Sequence, residues 1–173
     1  TLAACVTGFL RQTYPNIEIL IVDDGSTDNS GVICDRYANR YPEKIIVVHK
    51  KNQGPFAARI HGIQQANGDA LVFLDSDDCL RKDALEILNG SFEKESWDAA
   101  LYNSGSCTEF TAKPIRYPFY SAQCFLSEGK KSLFRMVVAS QIPNSLCLKA
   151  VRRECMVLPE NWERFSDVRH GED

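Results

Sequence analysis

Four apolar runs, the first two rich in β-branched residues, alternate with stretches of helical periodicity, and this alternation constrains the fold more than any other feature. The runs are predicted strands that cover residues 17–24, 44–50, 69–78 and 97–104. Between them, apolar residues recur three or four positions apart, which indicates amphipathic helices. This repeat predicts an α/β fold with an open, mostly parallel, Rossmann-like central sheet and helices on both faces.

Residues that start and stop helices set the expected boundaries. A first helix is predicted for residues 2–13. Pro55 suits the first turn of a later helix, which we expect to end at Asn67–Gly68. A short helix over residues 82–90 is expected to be closed by its last residue, Gly90.

Acidic side chains follow two of the predicted strands at the point where each strand ends. Asp23 and Asp24 close the first strand, and Asp75, Asp77 and Asp78 follow the apolar part of the third. In open α/β sheets, ligands bind beyond the carboxyl ends of the strands. At about 4 Å, two like charges repel by roughly 4 kcal/mol at an effective dielectric constant near 20. The sequence therefore predicts a bound species that offsets this charge, and a divalent cation with a phosphate ligand fits.

The acidic segment after the third strand admits three interpretations. The first is a solvated turn that caps the next helix. It would explain a single aspartate, but it explains three aspartates within four residues less well. A calcium loop of the EF-hand type is unsuitable, because Cys79 stands at a ligand position and Leu80 where a glycine is needed. The third interpretation is a D-x-D site, in which one or two carboxylates and substrate phosphates share a divalent cation. We favour this interpretation.

Composition limits the class of protein. The chain has 173 residues, 44% of them hydrophobic, which suits one domain with a sizeable core. Its net charge of -3 gives no reason to expect a nucleic-acid partner. No apolar run approaches the length of a membrane span. The seven cysteines include no C-x-x-C pair, which argues against zinc or a disulfide framework and fits reduced thiols in the cytoplasm.

Four segments, in order, resemble the large family 2 of inverting glycosyltransferases, which use nucleotide sugars and have the GT-A fold. They are "QTYPNIEILIVDDGSTDNS" (12–30), "NQGPFAARIHGIQQANGDALVFLDSDD" (52–78), "SLCLKAVRREC" (145–155) and "HGED" (170–173). The first two are the most specific. The resemblance implies a GT-A fold and transfer of a sugar from a nucleotide-diphosphate sugar, with UDP as the expected nucleotide.

The resemblance also implies roles in donor binding. Asp23, with Asp24 beside it, would face the nucleotide base, where a carboxylate can accept a hydrogen bond from a base N–H. Arg59 would reach toward the base or the diphosphate. Asp75 would hold the ribose or the sugar.

Metal binding and proton transfer are implied in the same way. Asp77 would coordinate Mn²⁺ or Mg²⁺, and Asp78 would support the metal or bind the sugar. The cation would neutralise charge on the departing nucleoside diphosphate. Asp173 or Glu172 would take the proton of the acceptor hydroxyl as it attacks the opposite face of the sugar, which inverts the configuration.

The resemblance divides the chain into two parts of one domain. Residues 1–104 would be the nucleotide-sugar-binding half without the family's first strand, and residues 105–173 a truncated acceptor-side part. The implied acceptor is a saccharide or glycolipid in bacterial polysaccharide synthesis. The expected location is the cytoplasm, with peripheral association at the inner face of the membrane through segments outside this chain as an open alternative.

Other residues and other functions receive different interpretations. His49 and His170 have no partners at metal-ligand spacing and are expected to be surface or loop residues. Lys149, Arg152 and Arg153 are expected on a solvated helix face, although the resemblance allows a diphosphate contact. The competing functions are a nucleotidyltransferase-like enzyme, a D-x-D phosphohydrolase and a non-catalytic module that binds nucleotide or metal.

Overall fold

The computed structural model describes residues 1–94, 99–101, 147, 149–156, 158 and 161. Helices and strands alternate along these residues as the periodicity predicts. The elements in chain order are α1 (Leu2–Leu10), β1 (Ile19–Asp23), α2 (Ser30–Arg40), β2 (Ile45–His49), α3 (Pro55–Gln65), β3 (Ala70–Val72), α4 (Ala84–Lys94), β4 (Ala99–Leu101), β5 (Lys149–Arg152) and a 3₁₀ turn at Arg153–Cys155.

Strands β1 and β2 form a parallel pair joined by α2. The register runs from Ile19 opposite Ile45 to Asp23 opposite His49. A parallel pair requires a crossover connection, and α2 supplies it. Because both strands end at the same level, the side chains that follow them meet at one edge of the sheet.

Strand β5 lies between β3 and β4 and runs antiparallel to both. β3 and β4 therefore run parallel to each other, and one reversed strand accounts for both antiparallel ladders. Among the described residues, β3, β5 and β4 form a three-stranded sheet that is separate from the two-stranded parallel sheet of β1 and β2. Lys149 and Arg152 were expected on a helix face; both lie in the strand β5 instead, which corrects that interpretation.

Helices cover both faces of β1. Ile19 packs with Val6 of α1 and Ile45 of β2, and Tyr37 of α2 packs against this cluster. On the opposite face, Gly62 of α3 approaches β1, and a Cβ at this glycine would lie 3.7 Å from Val22 and 3.9 Å from Leu20. Alternate residues of a strand point to opposite faces, so β1 is apolar throughout because it is packed on both sides.

Several helix boundaries differ from expectation. Helix α1 ends at Leu10 and not at residue 13, and α4 starts at Ala84 and not at residue 82. Helix α4 continues through Gly90 to Lys94, so the prediction that Gly90 closes it is wrong. A glycine inside a helix costs only about 1 kcal/mol, which flanking helix-forming residues offset. Helix α3 starts at Pro55 as predicted but ends at Gln65, before Asn67. Among the described residues, no helix has the length and apolar character needed to cross a membrane.

Candidate functional site

Helix α3 connects the two acidic strand ends. The loop that leads into it contacts Asp24, which follows β1, and its second turn carries Arg59. The guanidinium of Arg59 lies near Asp75, which follows β3, with 3.6 Å between Nη2 and Oδ1. Helix α3 and its N-terminal loop thus contact one residue of each acidic cluster, and the meeting of the two clusters at one edge stays a prediction.

Asp24 holds the start of α3. Its carboxylate accepts hydrogen bonds from the backbone N–H of Gln53 (3.0 Å) and Gly54 (2.8 Å), and it forms a salt bridge with Lys50. The side chains of Lys50 and Asp24 are 8% and 19% exposed. A carboxylate at this place is stabilised by the positive end of the helix dipole.

Two glycines close to Asp24 in the structure have positive φ angles. Gly54 has a φ of 89° at the start of α3, and Gly25 has a φ of 74° in the turn after Asp24. A Cβ at Gly25 would lie 2.8 Å from the backbone nitrogen of Asn52, a contact that no other residue could make without displacement. The "DDG" turn and the "NQG" loop are thus fitted against each other.

The carboxylate of Asp23 is engaged on both oxygens. Oδ1 accepts a hydrogen bond from the backbone N–H of Ser26 at 2.9 Å, and Oδ2 lies 2.8 Å from Nδ1 of His49. The Asp23 side chain is 9% exposed. The hydrogen bonds from Ser26, and after them the bond with His49, lower the pKa of Asp23. Asp23 thus fastens the end of β1 to the end of β2.

The three aspartates after β3 crowd one short turn. The backbone N–H of Asp78 donates to the carbonyl of Asp75 at 3.0 Å, and the Cys5 thiol of α1 donates to the same carbonyl at 3.6 Å. Burial, followed by the charges of Asp77 and Asp75, raises the pKa of Asp78. These carboxylates lie close enough to repel one another, which a cation would relieve.

The carboxylate oxygens of the aspartates after β3 are suitable ligands for a hard divalent cation. Carboxylate oxygens are the ligands that Mg²⁺ and Mn²⁺ prefer. Across the described residues, no three His, Cys, Asp or Glu side chains converge to hold a metal ion by themselves. The residues present therefore fit a cation held by one or two carboxylates and completed by ligands from a bound substrate, as is usual for Mg²⁺ with phosphates.

His49 has a larger role than its sequence setting suggests. Its Nδ1 contacts Asp23, and its Nε2 lies 2.9 Å from Oδ1 of Asp35 on α2. The sequence signal that could have found this contact is positional. His49 ends the second predicted strand, and Asp23 ends the first at the matching register.

Arg152 and Arg153 act within the protein, not on a helix face. The Arg152 guanidinium donates to the carbonyl of Phe92 at 3.2 Å and lies 5.3 Å from the centre of its ring. Nε of Arg153 donates to the carbonyl of Gly68 at 2.9 Å. These contacts tie β5 to α4 and to the turn before β3. Asp173, Glu172 and His170 lie outside the described residues, as does most of the segment after residue 105.

The "QT" pair after α1 is a second feature that sequence inspection missed. Nε2 of Gln12 donates to the carbonyl of Arg81 at 2.9 Å, and its Oε1 accepts from the backbone N–H of Leu85 at 3.1 Å. The Thr13 hydroxyl donates to Glu86 at 2.6 Å. The loop between the D-x-D aspartates and α4 is thereby held against the end of α1.

Comparisons with known proteins point to one family. Residues 1–153 match the family described as Glycosyl transferase family 2. The chain is 41% identical over 103 residues to glycosyltransferase GlyG of Streptococcus pneumoniae, which is 59% of this chain and 34% of GlyG. It is 31% identical over 170 residues to EpsH of Bacillus subtilis, which is 98% of this chain and 48% of EpsH.

Solved structures match over nearly the whole chain. The crystal structure of S. aureus TarS 1–349 in complex with UDP superposes with a TM-score of 0.68 at 19% identity, over 99% of this chain and 48% of that chain. TarS 1–349 in complex with UDP-GlcNAc gives a TM-score of 0.63 at 22% identity. The chain spans about half the length of these proteins or less. The fold is the α/β fold of the GT-A class, and the chain belongs to glycosyl transferase family 2.

Proposed function

We propose that this chain is the donor-binding part of a glycosyltransferase that takes its sugar from a nucleotide-diphosphate sugar. The observation that carries the proposal is the arrangement around α3. Its N-terminal loop binds Asp24, and its Arg59 lies 3.6 Å from Asp75. Helix α3, with its N-terminal loop, thus carries a guanidinium and contacts two carboxylates that lie near strand ends. In α/β sheets, ligands bind beyond such strand ends. The titles of the TarS structures name UDP and UDP-GlcNAc, which supports UDP as the first nucleotide to test.

The donor would lie across this edge. Asp24 and Asp23 would serve the base side, with Asp24 the more exposed of the two carboxylates (19% against 9%). Arg59 would meet the base or the diphosphate, where a guanidinium binds phosphate oxygens in pairs. Asp75, whose side chain is 54% exposed, would accept hydrogen bonds from the ribose or sugar hydroxyls.

Asp77 would hold Mn²⁺ or Mg²⁺, with Asp78 as its support or as a sugar ligand. When bound, the cation supplies positive charge to the diphosphate as it departs. Burial, and after it the charges of Asp77 and Asp75, raise the pKa of Asp78, and the charge part supports this assignment because a nearby cation offsets repulsion among carboxylates. Arg59 would add a second positive charge on the same side of the leaving group.

Proton transfer would complete the reaction. Asp173 or Glu172 would accept the proton of the acceptor hydroxyl while its oxygen attacks the sugar from the face opposite the diphosphate. A single displacement inverts the anomeric centre. The acceptor would be a saccharide or a glycolipid, and a glycolipid acceptor would favour peripheral contact with a membrane.

Calorimetric titration of UDP, GDP and dTDP, with and without Mn²⁺, tests the proposal. The variant Asp77→Asn removes the proposed metal ligand. Glu43→Gln is its control, because Glu43 is exposed and lies just before the first residue of β2. His49 is the last residue of that strand. We expect metal-dependent binding of UDP by the wild-type and control proteins and its loss in Asp77→Asn. A folded protein that binds none of the nucleotides would overturn the proposal, and binding without sugar transfer would indicate a non-catalytic module.

A further inference from the structure

The imidazole of His49 bridges two carboxylates from different elements. Nδ1 lies 2.8 Å from Oδ2 of Asp23, the last residue of β1, and Nε2 lies 2.9 Å from Oδ1 of Asp35 on α2. An ionised carboxylate only accepts hydrogen bonds, and a neutral imidazole has a single N–H. Both contacts can be hydrogen bonds together only when the ring carries two protons. The geometry is therefore that of an imidazolium.

The surroundings are shaped for this bridge. Gly31, in the first turn of α2, leaves the space that the pair occupies, because a Cβ there would lie 3.0 Å from Oδ2 of Asp23 and 3.6 Å from Cε1 of His49. The charged groups that face the ring are Asp23 from β1 and Asp35 from α2. The Cys34 thiol lies near both carboxylates, and burial raises its pKa, so it stays neutral.

The bridge is the first of two adjacent cross-links between the ends of β1 and β2. His49 pairs with Asp23, and the next residue, Lys50, pairs with Asp24. Asp23 also accepts the backbone N–H of Ser26, so the turn that carries Asp24 is closed by the same carboxylate that His49 holds. Movement of Asp23 would therefore move the backbone of Asp24.

We propose that His49, as an imidazolium held between Asp23 and Asp35, is a positioning residue that fixes the turn carrying Asp24 and so makes donor affinity depend on pH. This inference rests on the proposed donor site. His49 does not touch the donor; it acts through Asp23. Loss of its proton removes one of the two hydrogen bonds and both charge pairs, and the turn loosens.

The direction of the pH dependence follows from the same contacts. Hydrogen bonds to Asp35, and then to Asp23, raise the pKa of His49. A group whose pKa is raised by folding contributes fully below its ordinary value of about 6.5, and its contribution is lost as the pH rises through the raised value. Donor affinity should thus be highest at mildly acidic to neutral pH and fall on the alkaline side.

The experiment is calorimetric titration of UDP in Mg²⁺ between about pH 6 and pH 9, the interval that spans a raised histidine pKa. The proteins are the wild type, His49→Gln, Asp35→Asn and the control Glu43→Gln. We expect the wild-type and control affinities to weaken about fivefold toward high pH, the equivalent of one hydrogen bond. His49→Gln should bind about fivefold more weakly at low pH and show no pH dependence. Asp35→Asn should move the transition to lower pH.

Each other outcome has a defined meaning. If His49→Gln keeps the wild-type affinity and pH profile, the inference is overturned. A lower Tm without change in affinity would assign the bridge to folding alone and would overturn it as well. If His49→Gln does not fold, Asp35→Asn decides, since an unshifted profile refutes the role of the bridge. Absence of UDP binding by the wild type at every pH would instead refute the proposed function.

Discussion

The Arg59 guanidinium lies 3.6 Å from the Asp75 carboxylate and joins α3 to the D-x-D turn. The Arg59 side chain is 17% exposed and that of Asp75 54%, so the pair sits at the surface of the site. A half-exposed ion pair adds little to stability, typically below about 1 kcal/mol. The proposed donor role of Arg59 therefore predicts a larger effect of its replacement on nucleotide binding than on stability.

Replacement of Arg59 should separate these two effects. In Arg59→Gln, we expect UDP to bind about tenfold more weakly, because a charge-assisted contact is lost. The Tm should change little. Arg40→Gln is the matched control, since Arg40 is exposed at the end of α2 and stacks over Tyr41. Calorimetric titration and thermal unfolding of both variants provide the measurements, and equal UDP affinity in the two would contradict the assigned role.

The pair between Asp24 and Lys50 should matter for stability. Lys50 is 8% exposed, so Asp24→Asn leaves a buried ammonium without its counter-charge, and we expect a loss of about 2 kcal/mol in the free energy of unfolding. Removal of both charges in Asp24→Asn/Lys50→Met should recover part of that loss. Urea unfolding of the wild type, the two single variants and the double variant gives the free energies for a double-mutant cycle. Strictly additive effects would show that the two side chains are not coupled.

Two glycine substitutions should have opposite signs. Gly25→Ala forces a residue with a Cβ to a φ of 74° and places that atom 2.8 Å from the Asn52 nitrogen, so we expect destabilisation by about 2 kcal/mol. Gly90→Ala should stabilise by about 0.5–1 kcal/mol, because Gly90 lies inside α4 and an added Cβ would have no atom of the described residues within 4 Å. Chemical denaturation gives both values, and a stabilising Gly25→Ala would contradict the described turn.

Glu18 should give a pH-dependent contribution. It accepts the backbone N–H of Asn67 at 2.9 Å and the side-chain amide at 2.8 Å, and the backbone bond, followed by the side-chain bond, lowers the pKa of Glu18. A carboxyl whose pKa is lowered by folding stabilises the protein above its ordinary pKa, and that contribution is lost as the pH falls through the lowered value. Glu18→Gln should therefore cost about 0.5 kcal/mol at pH 7 and nothing at about pH 2. Urea unfolding at the two pH values is the measurement; an equal cost at both would exclude a role for the charge.

Local pattern was enough to predict much of the fold. The β-branched runs of β1 and β2 identify two strands, and Pro55 marks the start of α3. The sequence does not show that β2 is less covered than β1, with Ile46 40% exposed. The acidic residues at the end of β1 and after β3 are also evident from the sequence. Periodicity and turn chemistry depend on neighbours in sequence, and for that reason they can be read without a structure.

The partners of individual side chains depended on tertiary structure. His49 meets Asp23 because the parallel register aligns two strand ends, and it meets Asp35 because α2 packs over that pair. Residues 149–152 form a strand because β3 and β4 offer it two open edges, although the segment itself also suits a helix. The sequence alone therefore determined most strands and helices of residues 1–94 and where negative charge collects along the chain. Register and packing decided which groups touch, since those contacts join residues far apart in sequence.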